Sequence, residues 1–111
     1  MARLVLILAA ALAAWSAAAA AGPDAARQKE LLYMLKHDCG SCHGMTLKGG
    51  LGPALLPENL RDRADEDLHE SIVNGHPGTA MPPWGPLLGP GEARWLVTIL
   101  RQGAGQGGGT Q

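Results

Sequence analysis

The residues best suited to chemistry are Cys39, Cys42 and His43, which lie together in the string Cys-Gly-Ser-Cys-His. Two cysteines separated by two residues and followed directly by histidine are typical of covalent haem attachment. One helical turn carries both sulfurs to one edge of the macrocycle, where the thiols add to the vinyl groups, and brings the imidazole under the iron. The motif predicts one covalent haem c on Cys39 and Cys42, with His43 as an iron ligand.

Two other kinds of site use cysteine pairs. A structural zinc site needs four ligands in paired clusters, but the chain has only these two cysteines. A thioredoxin-like redox pair needs a βαβ pattern around it, and no strand-like run is present. Both alternatives are therefore weaker than haem attachment.

A second informative stretch covers residues 75–84 and contains Met81, Pro82 and Pro83. The prolines fix their own φ and push Met81 into an extended conformation, so its thioether is held on a stiff arm. The competing interpretation is a core methionine, but cores usually take methionine from a helix or strand. We predict that Met81 is the second iron ligand, with His76 as the fallback.

The elements around these residues are predicted to be helices. Pro23 and Asp24 open a helical stretch to about Lys36 that leads into the cysteine motif. Further helical segments are expected over residues 57–60 and 65–74, with Asp65 as the N-cap of the second. A last helix is expected over 92–101, with Trp95, Leu96, Ile99 and Leu100 on its buried side. The fold class is therefore all-α.

The two ends of the chain have different compositions from the middle. Residues 1–21 combine Arg3, a short apolar run and an alanine-rich end, which indicates a signal peptide cleaved near Ala20 or Ala21. A membrane anchor is the alternative, but spanning a bilayer takes about 20 apolar residues and the strongly apolar part is shorter. Residues 22–101 form the predicted domain, and residues 102–111, half of them glycine, form a flexible tail.

Composition limits how the domain can be stabilised. Removal of the first 21 residues leaves about 90, enough for one domain but few for an unaided core. The chain has no phenylalanine and only four aromatic residues, so a haem would be the largest apolar object in the fold. Both cysteines are used by the thioethers, so no disulfide is expected. The formal net charge of −1 does not suggest nucleic-acid binding, which would call for a basic patch.

The order Cys39, Cys42, His43 and Met81 resembles that of the small monohaem class I cytochromes c. The resemblance implies a class I cytochrome c fold, with three to five helices wrapped around one haem. It also implies that the carbonyl of Pro53, in the step Gly52-Pro53, accepts a hydrogen bond from His43. The stretches 38–44, 47–53, 77–84 and 92–97 resemble those of the NirC-type subgroup, encoded with the dissimilatory haem c/haem d nitrite reductase. His76 and Ala80 depart from that subgroup's pattern, which has a basic residue and proline there.

The subgroup's role implies a periplasmic one-electron carrier that is not an enzyme and that donates electrons to nitrite reductase in denitrification. Its partners would be that reductase and an upstream periplasmic or membrane donor, with no permanent membrane anchor. The alternatives are an accessory cytochrome in maturation of the d-type haem, and a gas or redox sensor with an exchangeable sixth ligand. Electrons would leave through a rim of small or uncharged residues, namely Gly40, Ser41, Gly44, Met45, Ala80, Pro82 and Pro83.

Overall fold

The computed structural model describes residues 22–103, which contain helices and turns and no strand. The α-helices are α1 (Ala25–Met34), α2 (Gly40–His43), α3 (Pro57–Leu60), α4 (Asp65–Asn74) and α5 (Glu92–Gln102). A π-helical segment, Leu35–Cys39, joins α1 to α2, and a 3-10 turn, Gly85–Leu87, precedes α5. The all-α prediction is confirmed. The predicted signal peptide and nearly all of the predicted tail lie outside the described residues.

The first helical stretch begins at an N-cap formed by Asp24, whose carboxylate accepts a hydrogen bond from the Arg27 amide at 2.8 Å. It does not end near Lys36 as predicted. The backbone widens into the π-helical segment, in which the Gly40 amide donates to the carbonyl of Leu35, five residues earlier. The helical path therefore continues through both cysteines to His43, so α1 and the motif form one continuous helical stretch.

Helix α4 has the predicted bounds but not the predicted cap. Its N-cap is Ala64, and Asp65 is the first helical residue. The carboxylate of Asp65 accepts a hydrogen bond from Arg101 Nε at 2.6 Å, so it is used for a contact with α5 instead of for capping. The first turn still contains three acidic residues, Asp65, Glu66 and Asp67. Their negative charges stabilise the helix because they lie at the positive end of its dipole.

The core is formed mainly by leucines from all parts of the described chain. Its buried members are Leu31, Leu35, Leu47, Leu60, Leu68, Leu96, Val97 and Leu100. On α5 the fully buried stripe is Ala93, Leu96, Val97 and Leu100. Trp95 and Ile99, which we expected on the buried side, are only partly buried against this cluster. The core of the described residues thus depends on aliphatic side chains, and Trp95 packs at its edge.

An ion pair ties the first helix to the last. Arg27 Nε and Nη2 each donate to Glu92, at 2.9 Å to Oε1 and 2.9 Å to Oε2. The hydrogen bonds from Arg27 lower the pKa of Glu92 below its usual range. The two-bond geometry fixes the relative position of α1 and α5 more closely than a single contact would. None of the helices within residues 22–103 has the length and apolar character needed to cross a membrane.

Candidate functional site

The two cysteines lie on the side of the π-helical segment and α2 that faces the interior of the protein. Cys39 is the last residue of the π-helical segment and Cys42 lies on α2, both half-buried and both free thiols. Burial, together with the nearby charge of Asp38, raises the pKa of the Cys39 thiol to about 11. The Cys39 thiol is therefore held in its neutral form more strongly than an exposed thiol would be.

His43 ends α2 and is only 8% exposed. Its Nδ1 lies 2.7 Å from the carbonyl oxygen of Pro53. Because a carbonyl oxygen only accepts hydrogen bonds, Nδ1 must carry the proton. In the neutral imidazole this leaves Nε2 as the nitrogen with a free lone pair, which is the form a metal ligand needs.

The glycine-rich loop after the motif returns to it at close range. The Gly52 amide donates to the Cys42 carbonyl and the Gly49 amide to the His43 carbonyl, both at 2.8 Å. A methyl group built on Gly52 would lie 2.8 Å from Nδ1 and Cε1 of His43. The loop therefore needs glycine at this position, since any side chain would displace the imidazole.

Met81 lies on the non-helical segment between α4 and the 3-10 turn and is half-buried. Backbone hydrogen bonds hold both ends of the segment. The His76 amide donates to the Met81 carbonyl at 3.2 Å, and the Trp84 amide donates to the Ile72 carbonyl at 3.0 Å. Gly75 has φ of +63° and its Cα faces Pro82 so closely that a Cβ would lie 2.6 Å from the Pro82 carbonyl carbon. The segment is therefore packed against the end of α4.

One cavity of about 830 Å³ brings the predicted residues together. Cys39, Cys42, His43, Met81 and Pro53 all lie on its wall. The rest of the wall is largely aliphatic, with Met34, Leu35, Leu55, Leu60, Leu68, Ile72, Leu96 and Leu100. Its size is in the range of about 300–1,000 Å³ found for cofactor pockets. The wall thus offers two thiols at one edge, an imidazole and a thioether in largely apolar surroundings. This is the set of donor groups that a haem c uses.

The described residues offer no competing metal site. Within residues 22–103 there is no group of three or more histidine, cysteine, aspartate or glutamate side chains that could hold a metal ion. The zinc alternative for the cysteine pair therefore finds no further ligands in that range.

The residues of the predicted rim differ in part from the prediction in their exposure. Ser41, Met45, Ala80, Pro82 and Pro83 are exposed, but Gly40 is buried and Gly44 is half-buried. Gly40 is buried because the backbone of Met45 packs on it, with the Met45 Cα 3.4 Å from the position of a Cβ.

Leu51 and Arg63 are among the cavity residues that were not predicted from the sequence. Leu51 is 92% exposed beside the cavity, and Arg63 lies on the wall between α3 and α4. Leu51 is an apolar residue between two glycines, a pattern that could have suggested its place at the cavity. Nothing in the pattern around Arg63 indicated its position.

The chain matches, over residues 23–99, the sequence family described as cytochrome c oxidase, cbb3-type, subunit III. The match covers more than half of the chain, and it contains all the residues just described. The chain belongs to this family of c-type cytochromes, with covalent haem c and its iron as the cofactor.

Similar proteins place the chain more narrowly within that class. Cytochrome c55X of Pseudomonas aeruginosa is 53% identical over 81 residues, which are 73% of this chain and 68% of that protein. The solved structure of the c-type cytochrome NirC is 51% identical with a TM-score of 0.73, covering 76% of this chain and 99% of NirC. The chain is thus a NirC-type small cytochrome c, with the class I cytochrome c fold.

A third similarity is to part of a larger protein. Dihydro-heme d1 dehydrogenase NirN, solved in complex with DHE, is 36% identical with a TM-score of 0.59. The match covers 63% of this chain but only 15% of NirN. The cytochrome unit therefore also occurs inside a longer polypeptide.

Proposed function

We propose that this cytochrome is a periplasmic one-electron carrier whose haem iron is held between His43 and Met81. The observation that carries the proposal is the cavity. It collects both cysteines, the buried imidazole and the methionine on one largely aliphatic wall. The bound haem supplies one-electron chemistry at iron. The protein supplies orientation and exclusion of water.

Each residue has a defined part in this arrangement. The Cys39 and Cys42 thiols would hold the haem covalently: each sulfur would bond to one vinyl carbon, and the thiol hydrogen would end on the other carbon of that vinyl group. The Pro53 carbonyl fixes the His43 ring and raises the basicity of Nε2 through the Nδ1 proton. Met81 would be the second iron ligand; this would leave no open position for a substrate, and methionine ligation would raise the reduction potential. We therefore propose electron transfer and no catalytic role.

The proposed acceptor is the dissimilatory nitrite reductase of denitrification, and the proposed donor is an upstream periplasmic or membrane redox protein. This rests on the NirC-type assignment and on the composition of residues 1–21, which is typical of an exported protein. The predicted boundaries, a signal peptide over 1–21, a cytochrome domain over 22–101 and a tail over 102–111, belong to the same proposal.

A second candidate function is an accessory role in maturation of the d-type haem. The similarity to a unit of dihydro-heme d1 dehydrogenase favours it, because it associates this cytochrome unit with an enzyme named for that cofactor. Both functions use the same His43 and Met81 ligands. They differ in the partner that exchanges electrons with the haem.

The Met81→Ala variant tests the ligand proposal. We expect it to lose the weak sulfur-to-iron absorption at the red edge of the ferric spectrum, and its ferrous form to bind carbon monoxide. The reduction potential should fall, because methionine ligation raises it. Absorption spectra with and without carbon monoxide, and a redox titration, measure these changes.

Met45→Ala is the matched control, since Met45 is 48% exposed and does not line the cavity. It should leave the spectrum and the carbon monoxide response of the parent protein. A Met81→Ala protein with the parent spectrum would show that another group, with His76 the first candidate, binds the iron.

A further inference from the structure

Asn74 and Gly75 form the one asparagine-glycine step of the chain, and the other asparagine, Asn59, precedes Leu60. A backbone nitrogen can attack the side-chain carbonyl of the asparagine before it. A glycine nitrogen does so most readily, because glycine has no Cβ to obstruct the approach. Asn74 is the last residue of α4 and is exposed, so water reaches its side chain. The step therefore has the chemistry of a labile asparagine.

The fold requires glycine at position 75. Its φ of +63° and ψ of −164° lie in a region that is open essentially only to glycine. A Cβ there would lie 2.6 Å from the carbonyl carbon of Pro82 and 2.7 Å from the carbonyl oxygen of Met81. A bulkier residue would slow the attack, but it would also displace the segment that carries Met81. The labile step is thus a consequence of how that segment packs.

Two hydrogen bonds restrain the step in the folded protein. Nδ2 of Asn74 donates to Oε1 of Glu70 at 2.5 Å, which directs the side chain toward the preceding turn of α4. The Gly75 amide donates to the Ser71 carbonyl at 3.0 Å. The attacking nitrogen must lose its proton and turn toward Cγ of Asn74, so both hydrogen bonds must break first. The rate is therefore set by local opening of the last turn of α4.

We propose that Asn74 is a site of spontaneous deamidation, and that the hydrogen bond to Glu70 slows the reaction. The Gly75 nitrogen loses its proton and bonds to Cγ of Asn74, the bond from Cγ to Nδ2 breaks, and ammonia leaves with that proton. The product is a five-membered succinimide. One water molecule then opens the ring at either carbonyl, which gives aspartate or isoaspartate. Water is the only co-reactant, and no electrons are transferred.

The modification has a consequence for the segment that follows α4. In isoaspartate the main chain runs through the former side chain and is one carbon longer before Gly75, so this glycine cannot keep its close contacts. The His76 amide, which donates to the Met81 carbonyl at 3.2 Å, must move with it. Either product also adds a negative charge at the C-terminal end of α4, four residues from Glu70, where the helix dipole and the like charge disfavour it. Deamidation therefore loosens the support of Met81, a consequence that rests on the proposed role of Met81 as iron ligand.

The test is to incubate the haem-loaded protein in mildly alkaline buffer and to digest samples at intervals for mass spectrometry. A methyltransferase specific for isoaspartate counts that product separately. We expect Asn74 to be converted while Asn59 stays intact. Asn59 is a control within the same molecule, since it is also exposed and also lies on a helix, α3. Equal rates at the two asparagines would overturn the proposal.

Variants at Glu70 test the restraint. Glu70→Ala should raise the rate at Asn74 about twofold to tenfold, the factor that one hydrogen bond contributes. Glu70→Gln keeps an acceptor at the same position and should stay close to the parent rate. Glu58→Ala is the matched control, because it removes the same charge from an exposed position on α3, and it should leave the rate unchanged. A parent rate in Glu70→Ala would show that Glu70 does not restrain the step.

Aged samples test the consequence for Met81. The sulfur-to-iron absorption of the parent should decline in step with the isoaspartate content. Asn74→Gln should keep the absorption after the same incubation, because its longer side chain would have to form a six-membered ring and reacts far more slowly. Isoaspartate that accumulates with no change in this absorption would overturn the link to Met81. If the fresh parent lacks the absorption, the ligand proposal fails, whereas deamidation of Asn74 is decided by the mass spectra alone.

Discussion

At the scale of single residues, the site depends on how His43 is oriented. The motif identifies the two cysteines and the histidine from spacing alone, and the resemblance to class I cytochromes c suggests Pro53 as the partner of the ring. The contact between Gly52 and the imidazole could not be predicted from the sequence. It depends on how the loop folds back, which local residue preferences do not determine.

The Gly52→Ala variant tests that contact. The added methyl would lie 2.8 Å from Nδ1 and Cε1 of His43, so the ring must shift and its hydrogen bond to Pro53 must lengthen. A weaker hydrogen bond makes Nε2 less basic, and the reduction potential should rise. Overpacking of this kind should also cost about 1–3 kcal/mol in unfolding free energy. Redox titration and denaturant unfolding measure the two effects.

Gly91→Ala is the control for the glycine substitution itself. Gly91 has φ of +77° and no atom within 4 Å of the position of a Cβ, so the change strains the backbone without touching the site. It should lower stability and leave the potential of the parent. If both variants shift the potential equally, the contact of Gly52 with His43 has no special part in tuning the iron.

At the scale of elements, the helices over 57–60 and 65–74 follow their predicted bounds, and the last helix runs one residue beyond the predicted 101. The π-helical segment Leu35–Cys39 was not predicted, because one extra residue in a turn leaves little trace in an apolar pattern. Asp65 was assigned as a cap because aspartate is common there. In the structure the Asp65 carboxylate instead accepts a hydrogen bond from Arg101, which is 36 residues away. A contact at that separation cannot be predicted from the local sequence.

Packing of α1 against α5 can be tested with Leu31→Ala. Leu31 is fully buried, belongs to the same cluster as Leu96, Val97 and Leu100, and does not line the haem cavity. Removing its side chain should lower the free energy of unfolding of the haem-loaded protein by about 2–5 kcal/mol. The haem spectrum should not change. Guanidinium unfolding followed by circular dichroism measures the loss.

Leu87→Ala is the control, because Leu87 is an exposed leucine outside the cavity. Its unfolding free energy should stay within about 0.5 kcal/mol of the parent. A small effect of Leu31→Ala would mean that covalent haem, and not the contact between helices, supplies most of the stability.

At the scale of the whole molecule, the hydrophobic core and the wall of the cofactor cavity share several residues. Leu35, Leu60, Leu68, Leu96 and Leu100 are buried core residues that also line the cavity. The chain has no phenylalanine, and its composition predicts that a haem would complete the interior. The composition could not say which leucines line the cavity.

The same arrangement leaves an exposed rim where a partner can approach. Its exposed members Ser41, Met45, Leu51, Ala80, Pro82 and Pro83 carry no charge. A partner would meet a mostly apolar surface, suited to a brief encounter of low buried area. Charges outside the rim, such as Lys36 and Lys48, would steer the approach more than they hold it. Electron transfer to the partner should therefore depend only weakly on ionic strength.

The Ala80→Asp variant tests this route with purified nitrite reductase as the electron acceptor. A carboxylate on the rim would have to be desolvated in the encounter complex, so transfer should slow by about tenfold, equivalent to roughly 1.4 kcal/mol. The absorption spectrum should show unchanged iron ligands.

Ala26→Asp is the control for the added charge. It places a carboxylate at an exposed position on α1 that does not line the cavity, and it should transfer electrons at the parent rate. Stopped-flow mixing at several salt concentrations gives both rates. A steep loss of rate with salt in the parent, or equal rates for the two variants, would mean that electrons leave the molecule through a different surface.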